Sequence, residues 1–567
     1  MILNLIHRYQ PGYDECFDFQ QRLAHSLGLK VTVFISSSLL CEERRGLAER
    51  FIADSERFGD ELALWPEPYD AKRGQFIWLL SEEDKLKSLE TAIGNFEKYI
   101  GYAPRVIGSY VTDSSMMRMI KSLCPTVTTV IAGCFEEGVR VFHGCNNSWY
   151  LFSEGMSWNP WYPSKTHALR PAKNENDWAG IVALPHLSRD LALAYESRND
   201  FFASHPPNIQ RGLVNDGASH NYDFNLVDQY RMQEDFNNGF SYYQIHVSPS
   251  WLSGCACVMD SDEITQKMYR EQLEYMRGLK QSGSLRDMTV SEFGEYYRRT
   301  VPIGTADAAV AKEMLFGSKK HYFWLASPSF RVLVDCDQGG SIGDLRPYNA
   351  EFEAFTGVDS PMREIHTYPY IIQSQLRTGV KTHCRDGSRT TLFVTVRGVK
   401  KDLCYCQSRV DKVERNGGDV ILTLSPVSLD FDGNTVKIRT VYTFCGEGKL
   451  RIKREILEKP KNERVELCEY FNGCFGFTEY PEDMNGIRLY ADEEELLYGY
   501  LGRGIEKEDA SRVGAVIPQI NARVELCGSG RGYAYEGHLF APFYTLALAY
   551  EIEDEGSGEV CLTITRE

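Results

Sequence analysis

LNLIH (residues 3–7), VTVFIS (31–36) and ELALW (61–65) open the chain as three short apolar runs, and the stretches between them read as helices. The runs lack the polar alternation of a half-exposed strand, so each reads as a strand buried on both faces. RVIGSYV (105–111), TVTTVIAG (126–133), GIVALP (180–185) and SYYQIHV (241–247) bring the number of such runs to seven. One helix is predicted from Asp14 to Gly28. A second starts at a Ser81 cap, carries Leu86, Leu89, Ile93, Phe96 and Ile100 on one stripe, and is stopped by Gly101 and Pro104. A third begins near Asp262 with Met268, Leu273, Met276 and Leu279. Strands alternating with helices predict a parallel sheet wrapped by helices, an α/β distorted (β/α)7-type barrel over residues 1–300.

Beyond residue 300 the pattern changes. VPIGTADAAVAKEM (301–314) reads as a connector, placing a linker at 301–320. From His321 onward, FRVLVDC, TTLFVTVRGV, GDVILTLSPVSLDF, NTVKIRTVYTF and KLRIKREIL alternate or are β-branched, and Gly-containing turns separate them. They predict an all-β supersandwich domain over 321–567.

Composition narrows the partners. The formal net charge of −17 argues against nucleic acid and against anionic membrane surfaces, which call for a basic face. No apolar run approaches the roughly 18 residues of a membrane span. The opening MILNLIHRYQPGYDE lacks a basic region and a long apolar core, which reads as a cytoplasmic protein without a signal peptide. The sixteen scattered cysteines read as reduced thiols. The C-x-C pairs Cys255/Cys257 and Cys404/Cys406 lack zinc-site spacing. Aromatic residues make up 12% of the chain, which suits a carbohydrate substrate, since rings stack on sugar faces. The sequence leaves a homo-oligomer open.

Active sites of parallel α/β folds gather beyond the C-terminal ends of the strands. At those ends stand His7, Arg8 and Gln10; Trp65, Glu67 and Asp70; Asp113; Glu136 and Glu137; His186, Arg189 and Asp190; and His246 and Trp251. SWNPWYPSK, from Ser157, adds Trp158 and Trp161 as candidate stacking platforms, with a buried plug as the alternative. Glu292 stands three residues after Thr289, the spacing of a helix capping box, and reads as structural.

LNLIHRYQPGYDE, with a strand running into His and then Gln-Pro, resembles the start of glycoside hydrolase family 57. LGLKVTVFIS resembles the helix-to-strand step of polysaccharide deacetylases. GCFEEG lies where family 57 places a catalytic Glu. A β-sandwich after the barrel is similar to glycoside hydrolase family 38, and QGGSIGDLRPYN resembles the opening of galactose-mutarotase-like domains. The resemblance to this glycoside hydrolase and deacetylase superfamily covers roughly residues 1–300. It implies a sugar-active enzyme with carboxylates at the barrel mouth. The metal motifs depart from the pattern: there is no Asp-Asp pair, no H-x3-H, and His7 is followed by Arg8 and Tyr9 rather than x-Asp. The expectation is therefore a metal-independent and cofactor-free glycoside hydrolase. Glu136 is its ionised carboxylate, with Glu137 as rival, and Asp190 and Asp113 are the acid candidates. His7, Gln10, Trp65, Glu67, Trp158, Trp161, His186, His246 and Trp251 would line the substrate site. A deacetylase, transglycosidase or isomerase on the same scaffold, or a non-catalytic carbohydrate-binding protein, are the alternatives.

Overall fold

The structure is a computed structural model. It describes the chain except residues 71–75, 78–79, 110–111, 134–156, 193–221, 254–261, 315–316, 349–369, 375–387, 476–483, 538–542 and 553–555. Two compact units are present. The first holds the described residues up to Gly304, together with Met314 and residues 317–318; the second holds Thr305–Glu313 and the described residues from Lys319 onward.

In the first unit, eight parallel strands form one curled sheet: β1 (Ile2–Arg8), β2 (Thr32–Ser36), β3 (Glu61–Trp65), β4 (Val106–Gly108), β5 (Thr129–Gly133), β6 (Val182–Pro185), β7 (Tyr242–Val247) and β8 (Arg286–Met288). The order is β6-β5-β4-β3-β2-β1-β7. β1 is paired along one edge with β7, while its other edge is shared: Ile6–Arg8 meet β2 and Ile2–Asn4 meet β8. β8 was not among the seven strands read from the sequence.

Among the described residues no ladder joins β6 to β7. A side chain spans that seam. The Gln244 amide on β7 donates to the carbonyls of Pro185 and His186 at 2.8 and 2.6 Å, and its backbone N–H donates to Ser188 Oγ at 2.9 Å.

The helices include α1 (Asp14–Ser26), α2 (Arg45–Phe58), α3 (Glu82–Ile100), α4 (Ser114–Leu123), α5 (Tyr222–Arg231), α6 (Asp262–Gln281) and α7 (Val290–Thr300). Ser81 caps α3 by accepting from the Asp84 N–H, and Gly101 ends it in the left-handed conformation. Leu89, Ile93, Phe96 and Ile100 are buried as the stripe predicts, but Leu86 is exposed and Lys85 takes the buried side of that turn. Thr289 and Glu292 form the expected capping box on α7. No helix among the described residues is long and apolar enough to cross a membrane.

In the second unit, antiparallel strands β9 (Asp307–Lys312), β10 (His321–Ala326), β11 (Arg331–Asp335), β12 (Ser341–Arg346) and β13 (Ile372–Gln373) form one sheet. β9 corrects the reading of 301–320 as linker throughout: Asp307–Lys312 pairs along β10, with Ala308, Ala309 and Ala311 buried. A fourteen-stranded sheet contains the remaining described strands. It folds over its own core: Leu392, Val394, Val465, Leu467 and Ile552 pack in one cluster with Val427, Phe431, Val436, Ile438 and Ile456. Leu403–Tyr405 is a short helical turn, which holds Cys404 and ends just before Cys406.

Candidate active site

Successive residues of a strand face opposite sides, and β1 sorts its residues accordingly. Ile2 and Ile6 join the inner core cluster with Phe34, Ala63, Trp65, Val106, Ile131, Leu184 and Tyr242. Arg8 lies on the same side, with its guanidinium 4.7 Å from the Trp65 ring centroid. His7 therefore faces the opposite way, into the helical layer. Its Nδ1 meets Gln21 Oε1 of α1 at 2.6 Å and its Nε2 meets the Tyr269 hydroxyl of α6 at 2.6 Å. Gln21 Nε2 donates to Asp60, so Gln21 Oε1 is the acceptor; Nδ1 then carries the proton and Tyr269 donates to Nε2. Burial depresses the His7 imidazole to about 4. His7 is a correction: it joins strand to helices and does not line the inner face.

On the inner face stand Ala63 and Trp65 of β3, and Glu67 follows two residues past the strand's end. Glu67 has no solvent exposure. Its Oε1 accepts from Ser109 Oγ, just past β4, at 2.5 Å, while Oε2 has no hydrogen-bond partner among the described residues. The Ser36 hydroxyl at the end of β2 donates to the Glu67 carbonyl and fixes the backbone. Burial raises the carboxyl to about 7; the Ser109 hydrogen bond and the Arg8 charge oppose that shift without cancelling it.

Imidazole rings stand beside this carboxyl's strand. His246 at the end of β7 lies near-parallel to Phe34 at 6.0 Å, edge-on to Trp65 at 6.2 Å, and 4.3 Å from the His186 ring, centroid to centroid. His246 is 1% exposed and His186, just after β6, is half-buried. Gly108 on β4 makes room for the ring wall. A Cβ there would come 2.7 Å from Phe34 Cε1 and 3.1 Å from Trp65 Cε3.

The remaining candidates fall elsewhere. Asp113 caps α4 by accepting from the Met116 N–H at 2.8 Å and pairs with Lys85 Nζ at 2.9 Å, so its carboxylate is committed to structure. Asp190 is fully buried after β6 and accepts from the Ala192 N–H at 2.9 Å. Trp158 and Trp161 are 2% and 4% exposed. Trp161 pairs its backbone with Ala183 of β6 and donates its indole N–H to the Ala168 carbonyl, so the pair packs as a plug rather than standing out as platforms. Gln10 is half-buried, with Oε1 unpartnered among the described residues. Trp251 is half-buried in the short helix Pro249–Leu252. Glu136 and Glu137 lie outside the described residues.

The contacts thus bring together Arg8, Phe34, Trp65, Glu67, Ser109, His186 and His246. Ser109 and Phe34 were not candidates from the sequence, and Arg8 stood there among the strand-end residues with no role assigned to it. Glu67 lies past the end of β3, and nothing in a strand apolar on both faces reveals which side is inner. Among the described residues no group of three or more His, Cys, Asp or Glu side chains could hold a metal ion.

Residues 18–309 match the family model described as a domain of unknown function with a solved-structure structure, DUF3863. The chain belongs to that family. No curated protein matches it. Among solved structures, it is similar to the 4-alpha-glucanotransferase from Thermococcus litoralis at 11% identity and a TM-score of 0.31, covering 100% of this chain and 99% of that one. A galactose mutarotase-like protein from Clostridium acetobutylicum is similar at 9% identity and a TM-score of 0.31, covering 46% of this chain and 98% of that one. A putative polysaccharide deacetylase from Mycobacterium smegmatis is similar at 11% identity and a TM-score of 0.29, covering 53% and 91%. Likeness at this level assigns no chemistry.

Proposed function

We propose that the first unit is a sugar-active enzyme, a glycoside hydrolase, in which Glu67 transfers the proton. The observation that supports this is the state of the Glu67 carboxyl. It is buried, held on one oxygen by Ser109, unpartnered on the other among the described residues, and raised to about 7. A carboxyl with that pKa is protonated in roughly half the molecules near neutral pH, which is where a general acid works best. Trp65 and Phe34 are themselves buried and pack edge to face as an apolar wall, and Arg8, over the Trp65 ring, supplies a positive charge. Glycoside cleavage also needs an ionised carboxylate across the bond. Glu136, with Glu137 as rival, is the candidate for that role, and Asp190, read from the sequence as an acid, is a further one; the substrate is a neutral oligosaccharide or small glycoside.

The test is Glu67→Gln, assayed with a panel of aryl glycosides and oligosaccharides. On any substrate the wild type cleaves, kcat should fall by about 10³ or more, equivalent to about 4 kcal/mol of barrier. The wild-type kcat/KM should fall as pH rises through about 7, where the acid form is lost. Near-normal turnover by Glu67→Gln would remove Glu67 from the mechanism. Glu136→Gln and Asp190→Asn, run alongside, identify the second carboxylate.

A further inference from the structure

One face of the large sheet of the second unit carries an aromatic row that its core does not use. On strand 465–474, Leu467 and Phe471 point into the core and are fully buried, so Cys468, Tyr470 and Asn472 lie on the other face. The register extends that face across neighbouring strands. Tyr470 stands opposite Ala547, which stands opposite Tyr533; Asn472 stands opposite Thr545, which stands opposite Tyr535; Phe393 stands opposite Cys468, which stands opposite Ala549. The middle strand thus contributes only Ala547, Ala549 and Thr545 between two ranks of rings, whose backbones stand about 10 Å apart.

Phe393, Tyr470 and Tyr533 pack over the floor of Cys468, Ala547 and Ala549, leaving that floor buried and the rings half-exposed. Phe393 and Tyr470 meet edge-on at 4.8 Å, and Tyr533 and Tyr535 lie near-parallel at 6.2 Å. Polar groups border the rings: Thr545 Oγ1 donates to Asn472 Oδ1 at 2.8 Å, and the Tyr535 hydroxyl donates to Glu506.

The surrounding charge selects among ligands. Lys400 Nζ lies 3.9 Å from the Phe393 centroid, and Arg531, over Tyr533, pairs with Glu466 at 2.8 Å. The cations Lys400, Arg531 and Arg464 therefore stand with the anions Glu466, Glu506, Glu508 and Glu551. A rim with no excess of cations gives no purchase to nucleic acid or an anionic membrane. The three central strands are paired on both sides, which excludes a peptide added as an extra strand. Flat apolar rings with hydrogen-bonding edges match a sugar ring, whose faces are C–H and whose rim is hydroxyl.

We propose that Tyr470, Tyr533, Tyr535 and Phe393 form a binding surface for a neutral polysaccharide, distinct from the carboxyl site at Glu67. The class of ligand, though not the surface, rests on the carbohydrate reading of the first unit. The test is affinity electrophoresis of the full chain through gels containing a neutral β-glucan, xylan, galactomannan or α-glucan, with pectate as the anionic comparison. Wild type and Glu67→Gln should be retarded alike by at least one neutral polymer, and Tyr470→Ala with Tyr533→Ala should weaken retardation about tenfold or more. In wild type, the retarding polymer should also protect Tyr470, Tyr533 and Tyr535 from nitration by tetranitromethane, read by peptide mapping; this measurement stands even where the double variant does not fold. The assignment is overturned by retardation on no neutral polymer, retardation by pectate alone, an unchanged double variant, loss of retardation in Glu67→Gln, or unprotected tyrosines. Turnover of Glu67→Gln reports on the catalytic reading separately, since it leaves this surface untouched.

Discussion

Glu67 in the first unit and Glu469 in the second are both shut off from solvent, at 0% and 2% exposure, yet their surroundings treat the carboxyl oppositely. Glu469 receives a two-pronged guanidinium: Arg454 Nε and Nη2 reach its two oxygens at 2.7 and 2.8 Å, and Arg454 Nη1 donates to Thr440 Oγ1 at 2.6 Å. Both oxygens are occupied, and the pair is locked into the sheet. Glu67 has one neutral donor, Ser109, and an oxygen left over. Burial depth alone does not separate a structural carboxylate from a reactive one. What separates them is how many lone pairs the fold has already filled, and whether the filling group carries a full charge.

The strongest challenge to this contrast is Arg454→Ala. It strands the Glu469 charge and should destabilise the protein by about 3–5 kcal/mol, measured by urea or thermal unfolding. Replacing both partners with apolar residues, as in Arg454→Met with Glu469→Leu, should cost far less. Equal losses in the two variants would erase the distinction.

Glu67→Gln should do the reverse and stabilise, with a sign that depends on pH. The native carboxyl holds its proton up to about 7, against an ordinary value of 4.5. Between those values the native state binds more protons than the unfolded chain, so wild-type stability declines as pH rises through the window. The full cost, about 3 kcal/mol, is present above pH 7. Glutamine never ionises. Its melting temperature relative to wild type should therefore climb from pH 4.5 to 8, and a pH-independent difference would show that Glu67 is not held as described.

A smaller effect sharpens the picture further. Ser109→Ala removes the side-chain hydrogen bond that favours the ionised carboxylate, so the Glu67 carboxyl should move up by roughly one pH unit, about 1.4 kcal/mol. The alkaline limb of the pH–rate profile should follow it upward. An unmoved limb would mean that some other group sets it.

The strands of the first unit were legible because a strand buried on both faces is written as an unbroken apolar run, and LNLIH, VTVFIS and TVTTVIAG are such runs. The same property hid the orientation of their end residues. In IHR neither neighbour of His7 marks the inner side, so the sequence alone does not separate His7 from Arg8 as the inward residue. Asp113 illustrates a second ambiguity, because an acid after a strand and an acid capping the next helix have the same local sequence. Only the buried Lys85, 28 residues earlier in the chain, decides between them. β9 escaped because ADAAVAK has few β-branched residues; its strand character comes from pairing with β10, not from propensity. The Trp158–Trp161 loop was read with two outcomes, and the backbone bridge from Trp161 to Ala183 selects the plug.

The divided edge of β1 also imposes a timetable. Ile2 pairs with Tyr242 on one side and Arg286 on the other, partners 240 and 284 positions downstream. Synthesis runs at roughly 5–20 residues per second, so the opening strand waits about 15–60 s after leaving the ribosome for its last neighbour to be made. Throughout that interval Leu3, Leu5 and Ile6, fully enclosed in the finished protein, have no complete sheet to enter. The strand that lies between β7 and β2 in the folded unit is thus translated before the rest of its sheet and is among the last of its strands to be enclosed, which gives a chaperone a long opportunity to hold it.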